Sequence, residues 1–362
     1  MKKFQKFLIS PFIIFILLNF LPCTAALAQL RKTVEENRFE VNAKKENERI
    51  KKSKVKSIGY FLDTGKIGFV LFDINGNIIE NCYYHNGKKT SSEFYQYDEN
   101  NNVVGKQEFY NDKPESFEKY IYNQKNQKIT LEKYYGDSSL QVKINYKYDE
   151  NNNLIEENDN YSNSDYINFY YKYDDNNRKI EEKEVADSVI HLLNEFSYNS
   201  TGDLIYEKRY YESNKPEIEK RYSYDYDERG NILAVFVKSN DTSQTYSEKM
   251  EYDSSNNQTS YASYNNRNKL EYKKYYKYDI KNNLTEITVL NSDNSISRKE
   301  NYTYDESGNL LEYKVMNSEI SVTRDVFYKY DVKGNVSEVQ ETQKDKNGVQ
   351  KSVITYSYIY FD

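Results

Sequence analysis

The residues of this chain best suited to chemistry are oxygen donors that alternate along short segments. In three of them an aspartate is followed by asparagines at every second position: Asp73-x-Asn75-x-Asn77, Asp98-x-Asn100-x-Asn102 and Asp149-x-Asn151-x-Asn153. This spacing is typical of calcium-binding loops, which also need a glutamate at the twelfth position. Tyr84, Phe109 and Asn160 stand there instead. Calcium binding is therefore one interpretation of these segments, and the turn geometry described below is the other.

Residues for acid–base or nucleophilic catalysis are scarce and scattered. The two histidines, His85 and His191, are far apart in the chain, and the sequence contains no Gly-x-Ser-x-Gly elbow or phosphate-binding glycine loop. Neighbouring carboxylates such as Glu156 and Glu157 would point to opposite faces of a strand. We therefore predict that the protein is not an enzyme and that it has no catalytic residue, cofactor or metal ligand.

A tyrosine–aspartate pair that returns every 25 to 28 residues sets the position of all these side chains. Three residues beyond each Asp or Asn anchor the chain carries Gly or Asn, which tolerate positive φ. This pattern predicts a type I turn closed by a G1-type bulge. The predicted turn residues are Asp73, Gly76, Asp98, Asn101, Asp149, Asn152, Asp174, Asn177, Gly202, Asp227, Gly230, Asp253, Asn256, Asp279, Asn282, Asp305, Gly308, Asp331 and Gly334, with Asn123, Asn126 and Asn199 in the same register.

Strand sequence flanks each turn, so the repeating unit is a β-hairpin. Pairs of tyrosines two residues apart, such as Tyr146 and Tyr148, place both rings on one face of a sheet. Strands joined by short turns pair antiparallel. We therefore predict an all-β fold: about 11–12 hairpin repeats of about 25–26 residues that form a twisted, spiralling meander or open shell. Because one hairpin is marginal in water, neighbouring repeats must stabilise each other.

The anchor motif, seen in full from Tyr302 to Leu310 and from Tyr226 to Ile232, resembles the YD repeats of the Rhs family. The resemblance extends over residues of about 58 to 362, and no segment after the last repeat resembles a toxin domain. It implies hairpin arrays that wind into shells, occur on bacterial surfaces or in secreted proteins, and are associated with carbohydrate or serve as toxin casings.

The first 28 residues have the features of a secretory signal peptide. Lysines precede the apolar run Phe7–Leu21, and small residues end near Ala28, where we expect cleavage. The run is too short for a membrane span. Pro22 before Cys23 departs from the small residue of a lipoprotein box, which favours a secreted or cell-envelope protein over a lipoprotein.

Two further segments follow the signal peptide. Residues 29–56 are rich in charge, and their sparse apolar positions predict a solvated helix or a linker that tethers the array. Residues 57–362 form the repeat domain. Cys82 is the single cysteine after cleavage, so we predict no internal disulfide and a small apolar role for this side chain.

Charge and composition limit the partners. The net charge of −6 argues against nucleic acid as a ligand. The 40 tyrosines are typical of a sheet protein with an amphipathic core. We predict a secreted or surface module that binds a glycan or protein ligand through its repeated tyrosine-rich strands, with no transmembrane span after cleavage. The alternative is a passive structural scaffold or a fragment of an Rhs-like casing.

Overall fold

The structure, a computed structural model, describes residues 44–62, 65–162, 165–212, 215–318 and 322–362. The predicted signal peptide and residues 29–43 lie outside these ranges. Helix α1 covers residues 44–52, and a short 3₁₀ turn covers Thr242–Gln244. The strands are β1 (Val55–Leu62), β2 (Gly65–Phe72), β3 (Ile78–His85), β4 (Lys88–Tyr97), β5 (Val103–Tyr110), β6 (Lys113–Tyr122), β7 (Lys128–Tyr135), β8 (Leu140–Tyr148), β9 (Leu154–Tyr161), β10 (Tyr166–Tyr173), β11 (Lys179–Ala186), β12 (Val189–Tyr198), β13 (Leu204–Tyr211), β14 (Ile218–Tyr226), β15 (Ile232–Ser239), β16 (Tyr246–Tyr252), β17 (Gln258–Asn265), β18 (Leu270–Tyr278), β19 (Leu284–Asn291), β20 (Ile296–Tyr304), β21 (Leu310–Asn317), β22 (Val322–Tyr330), β23 (Val336–Asp345) and β24 (Gly348–Tyr360).

These strands form a closed antiparallel barrel. Each pairs with its neighbours in the sequence, and β24 returns to pair with β1, where Ile58 lies opposite Tyr358 and Tyr60 opposite Tyr356. The all-β class is as predicted, but the open, spiralling meander is wrong. Turn chemistry and alternation specify pairing inside each hairpin, whereas closure depends on twist and stagger summed over all 24 strands.

The two faces of the sheet differ in chemistry. Residues one and three places before each anchor, such as Tyr148 and Tyr146, share a face that we name the tyrosine face. Residues two and four places before the anchor share the opposite face, here the lysine face. Both buried hydrophobic clusters lie on the tyrosine face; their buried members are Ile50, Val55, Ile58, Val70, Phe72, Val326, Val336, Val339 and Tyr356, and Tyr276, Leu284, Ile287 and Tyr302. Because side chains crowd on a concave wall, we assign the tyrosine face to the inside of the barrel.

Helix α1 packs against the seam where the barrel closes. Ile50 is buried in the larger cluster with Ile58 and Val326. Arg49 donates a hydrogen bond of 2.9 Å to Asn309 Oδ1, and its guanidinium lies 5.9 Å from the centre of the Tyr330 ring. The part of the predicted tether that the structure describes is therefore attached to the barrel, because Ile50 supplies an apolar contact.

Candidate functional site

The aspartate of a repeat turn accepts hydrogen bonds from other residues of the same turn. In the turn at Asp98, Oδ1 accepts the N–H groups of Asn100 at 2.9 Å and Asn102 at 2.8 Å, while Oδ2 accepts Nδ2 of Asn102 at 2.9 Å. These hydrogen bonds, led by the one from the Asn102 side chain, hold the pKa of Asp98 below its usual value. Both carboxylate oxygens are engaged within the turn, so turn geometry alone accounts for the Asp-x-Asn-x-Asn spacing.

The Gly or Asn three places after each anchor has positive φ in all eleven turns. The angle ranges from 59° at Asn126 to 93° at Gly202. In each turn the N–H of this residue donates to the carbonyl of the anchor, as Asn101 does to Asp98 at 3.1 Å. The hairpin reversal therefore depends on residues that tolerate the left-handed region.

Asparagine at this turn position has a second role, because it joins one turn to the next. Asn102 Nδ2 donates to Asn126 Oδ1 at 3.0 Å, and Asn153 Nδ2 donates to Asn177 Oδ1 at 2.9 Å. We name these contacts the rim ladder. Its acceptors are the asparagines at this position, namely Asn101, Asn126, Asn152, Asn177, Asn256 and Asn282.

The tyrosine of the anchor pair holds the preceding hairpin. Tyr148 Oη donates to the carbonyl of Lys128 at 2.9 Å, and Tyr97 Oη donates to the carbonyl of Ile78 at 2.7 Å. Burial raises the pKa of Tyr97 to about 12. Equivalent bonds are made by Tyr122, Tyr173, Tyr198, Tyr278, Tyr304 and Tyr330. These tyrosines, which belong to the tyrosine-rich strands that we predicted to bind a ligand, thus connect consecutive hairpins of the barrel.

The lysine face carries ion pairs at matching places in several repeats. Within the hairpin of β8 and β9, Lys147 Nζ lies 2.7 Å from Glu156 Oε2, directly across the strand pair. The same cross-strand pair recurs as Lys172 with Glu181, Lys277 with Glu286 and Lys329 with Glu338. This outer wall is consequently hydrated and charged.

One part of the lysine face is aromatic. Phe117 stacks on Tyr134 with ring centres 4.3 Å apart, and Phe94 meets Phe109 edge to face at 5.7 Å. The pair Phe69 and Tyr84, at 6.4 Å, lies beside them on β2 and β3. All six rings are half-buried. We name the group Phe69, Tyr84, Phe94, Phe109, Phe117 and Tyr134 the outer aromatic surface.

Polar side chains lie among these rings. Gln107 stands opposite both Phe94 and Phe117, in the row that crosses β4, β5 and β6. Lys66 Nζ lies 4.3 Å from the centre of the Phe69 ring, and Lys119 Nζ lies 5.3 Å from that of Tyr134. These groups can exchange hydrogen bonds beside the half-buried rings.

Below the rings, two small side chains of the lysine face are fully buried. Cys82 lies opposite Phe69 and Ser92, and Ser92 lies opposite Phe109. Burial, with a hydrogen bond to Glu80, raises the pKa of the Cys82 thiol to about 12. The Cys82 thiol is thus protonated and contributes only to packing. The outer aromatic surface packs on these small buried residues.

Our sequence analysis missed the outer aromatic surface because it followed only the repeated tyrosines. The signal was available at two positions of the repeat. Phe69 and Phe94 lie four places before their anchors, and Tyr84, Phe109 and Tyr134 lie eleven places after theirs, where most other repeats carry polar or aliphatic residues. Tyr84 and Phe109 are also the residues that stand where a calcium-binding loop would carry its glutamate.

The remaining candidates for chemistry stay apart. His85 is exposed at the end of β3, and His191 on β12 lies 2.6 Å from the Glu212 carboxylate through its Nδ1. Within the described ranges, no three His, Cys, Asp or Glu side chains gather in a way that could hold a metal ion. No helix in the described part of the chain is long and apolar enough to cross a membrane.

Comparison with solved structures gives distant likenesses, and comparison with sequences gives none. No protein-family model matches the chain, and no characterised protein matches it in sequence. The crystal structure of TcdB2-TccC3 without its hypervariable C-terminal region is similar over 79% of this chain and 17% of its own, with 11% identity and a TM-score of 0.40. The present chain therefore spans under a fifth of that protein.

Two further solved structures are porin-like proteins from Bacteroides. The one from Bacteroides uniformis is similar over 85% of this chain and 97% of its own, with 9% identity and a TM-score of 0.22. The one from Bacteroides vulgatus is similar over 85% and 99%, with 11% identity and a TM-score of 0.21.

Proposed function

We propose that this chain is a non-enzymatic, exported protein that binds carbohydrate chains on its outer aromatic surface. The observation that carries the proposal is the group of six half-exposed rings on β2–β7, outside the anchor tyrosines. The C–H face of a sugar ring is apolar and packs against an aromatic ring, whose face is partly negative. Hydroxyl groups of the sugar would bond Gln107, Lys66 and Lys119.

The dimensions of the surface suit a chain of several sugars. Phe94, Gln107, Phe117 and Tyr134 form one lateral row over four consecutive strands. With strands about 4.8 Å apart, this row is about 14 Å long. The barrel makes this surface rigid, because each strand pairs with a neighbour on both sides. Binding a ligand therefore costs little conformational entropy for ordering the rings.

The charged pairs of the lysine face support a role in water. A barrel that crosses a membrane presents an apolar band to lipid, whereas the Lys147–Glu156 type of ion pair places charge on the outer wall of several repeats. Export rests on the signal-like residues 1–28, which lie outside the described residues. We propose the cell envelope or the surrounding medium as the site of action.

A glycan array with the exported chain, followed by calorimetry with the best glycan, tests the proposal. We expect Phe94→Ala and Phe117→Ala each to weaken binding by about tenfold or more, which corresponds to about 1.4 kcal/mol. The matched control is Tyr275→Ala, because Tyr275 lies four places before its anchor, as Phe94 does, but on β18. A blank array with folded protein, or an equal loss with Tyr275→Ala, contradicts carbohydrate binding. A protein captured only when Phe117 is intact would instead indicate a protein ligand.

A further inference from the structure

Carboxylates on the tyrosine face are usually paired with a cation of the chain. Lys106 Nζ contacts both Glu93, at 3.2 Å, and Glu108. Arg324 forms a two-point ion pair with Glu341, with N–O distances of 2.7 and 3.0 Å. Other pairs on this wall are Lys133 with Glu118, Lys179 with Glu182, Arg209 with Glu207 and Arg298 with Glu300. Inner negative charge is thus neutralised by a cation of the chain in several repeats.

Glu157 and Asp159 on β9 break this pattern. They occupy the places that Lys106 and Glu108, or Glu207 and Arg209, occupy in other repeats, eight and ten residues after the anchor. Within the described residues, no ammonium or guanidinium group forms an ion pair with either carboxylate. Asp159 is only 8% exposed, its Oδ1 has no hydrogen-bond partner, and its Oδ2 accepts a single long bond of 3.5 Å from Tyr161 Oη.

Aromatic rings flank the two carboxylates on both sides. Tyr146 on β8 lies directly opposite Glu157, and Tyr171 on β10 is close enough for both carboxylates to affect its hydroxyl. The faces of these rings already receive ammonium groups of the chain. Lys128 Nζ lies 5.3 Å from the centre of the Tyr146 ring, and Lys179 Nζ lies 5.4 Å from that of Tyr171.

The electrostatics agree with unmatched negative charge at this place. Burial, followed by the nearby charge of Asp159, raises the pKa of Glu157 to about 6. Burial also raises the pKa of Asp159. Lys128 lowers the pKa of Glu157 and is too small an influence to reverse the shift. The charge of a cation that entered the site would offset the desolvation cost of both carboxylates.

We propose that the inner wall of the barrel at β8–β10 binds a primary ammonium group between Glu157 and Asp159, with Tyr146 and Tyr171 as aromatic walls. The ammonium would donate hydrogen bonds to the unpartnered Asp159 Oδ1 and to Glu157 while its methylene carbons pack on the rings. A polyamine and an exposed lysine side chain share this chemistry. Two carboxylates supply too few oxygen ligands for a calcium ion, which takes six to eight.

This site is on the opposite face from the outer aromatic surface and does not depend on carbohydrate binding. Tyr161, at the end of β9, is 38% exposed and contacts Asp159, so the site is near one end of the barrel wall. A flexible, extended cation can reach it from that end.

Calorimetry of the exported chain with spermidine, with Nα-acetyl-lysine methyl ester and with calcium chloride tests the inference. We expect saturable heat with spermidine and no binding of calcium. Heat with the lysine ester as well would indicate that a lysine side chain of a partner also fits. Asp159→Asn should weaken spermidine binding by about tenfold or more and should fold normally, because the carboxylate that it replaces is buried without a counter-charge.

Glu207→Gln is the matched control, since Glu207 lies at the same place of its repeat as Glu157 and is paired with Arg209. It should leave spermidine affinity unchanged. The inference is overturned if spermidine gives no heat at millimolar concentration, if Asp159→Asn binds as the unaltered chain does, or if Glu207→Gln loses as much affinity. Tight calcium binding that Asp159→Asn abolishes would also overturn it, in favour of a metal site.

Discussion

The tyrosine and the aspartate of each repeat stabilise different contacts. Asp98 closes its own turn through three hydrogen bonds, whereas Tyr97 reaches back to the carbonyl of Ile78 in the preceding hairpin. One residue therefore specifies the reversal, and the other connects consecutive repeats. Their adjacency explains why the pair returns as a unit along the chain.

Removing one anchor hydroxyl tests the connection between repeats. Tyr148→Phe loses the bond to the Lys128 carbonyl and should reduce the free energy of unfolding by about 1 kcal/mol. Urea denaturation followed by circular dichroism measures the change. Tyr135→Phe is the control, because the Tyr135 ring is 48% exposed, and it should have little effect. Equal losses in the two variants would show that the anchor hydroxyl has no special role.

The charge of Glu157 predicts a pH-dependent stability. Its folded-state pKa, about 6, lies above the ordinary value of 4.5, so the native state binds this proton more tightly than the unfolded chain does. The favourable contribution is complete below pH 4.5 and is lost as pH rises through 6. Glu157→Gln should therefore raise the melting temperature at pH 7.5 by roughly 1–2 °C, a value reduced for partial solvent screening.

The same variant provides its own control in acid. At pH 4, below both pKa values, the carboxyl is mostly protonated in both states, so the melting temperatures of Glu157→Gln and the unaltered chain should nearly coincide. Differential scanning calorimetry at the two pH values gives the comparison. A stabilisation that persists unchanged at pH 4 would mean that packing, and not ionisation, distinguishes the two side chains.

At the scale of the hairpin, Asn and Gly at the positive-φ turn position have different surroundings. Asparagine accepts a hydrogen bond of the rim ladder from the adjacent turn, as Asn177 Oδ1 does from Asn153 Nδ2. At one of the five glycine turns, helix α1 occupies that space: a Cβ at Gly76 would lie 2.6 Å from Lys51 Cγ. A Cβ at Gly334 would lie 4.0 Å from Arg49 Nε, and one at Gly202, Gly230 or Gly308 would meet no atom within 4 Å. Both residues satisfy the positive φ, and it is only at Gly76 that a side chain would collide with α1.

Replacing glycine by asparagine at two turns separates backbone strain from contact with α1. Gly76 and Gly230 have nearly equal φ, 81° and 80°, but a Cβ at Gly230 meets no atom within 4 Å. Gly76→Asn should cost about 1–3 kcal/mol through overpacking against Lys51, and Gly230→Asn should cost much less. Urea denaturation measures the difference.

The position of α1 gives a second measurement for these variants. Displacement of the helix by Gly76→Asn should speed tryptic cleavage after Lys51 or Lys52, which we expect to be slow in the unaltered chain because Ile50 is packed in the core. Gly230→Asn should be cleaved at the original rate. Identical cleavage of both variants would show that α1 does not depend on the space beside Gly76.

For the whole molecule, the pairing of β1 with β24 decides the architecture. An open array would leave two edges of unpaired backbone groups, which invite association. In the closed barrel the first and last strands have neighbours on both sides, as every other strand has. Terminal repeats are therefore as well supported as internal ones, and contacts between residues about 300 positions apart contribute to stability.

A disulfide across the seam tests closure directly. Gly59 on β1 lies opposite Ser357 on β24, and a Cβ at Gly59 would lie 3.8 Å from Ser357 Cβ, the usual separation in a disulfide. Gly59→Cys with Ser357→Cys should form an intramolecular bond under mild oxidation, seen by mass spectrometry and by faster migration on a non-reducing gel. The pair Gly59→Cys with Ser197→Cys, on distant strands, should not. A folded seam variant that stays reduced would contradict closure.

The sequence by itself determined the hairpin, the positive φ of the turn residues and the face on which each tyrosine lies. Glycine or asparagine after the anchor and the alternation around Tyr148 act within one repeat, where local sterics and side-chain direction are sufficient. Only the tertiary structure decided that β24 meets β1, that the anchor hydroxyls are engaged by neighbouring carbonyls, and that Phe94 and Phe117 share a surface. These features depend on the twist and stagger between neighbouring strands, which accumulate over many strands and cannot be deduced from the sequence of one repeat.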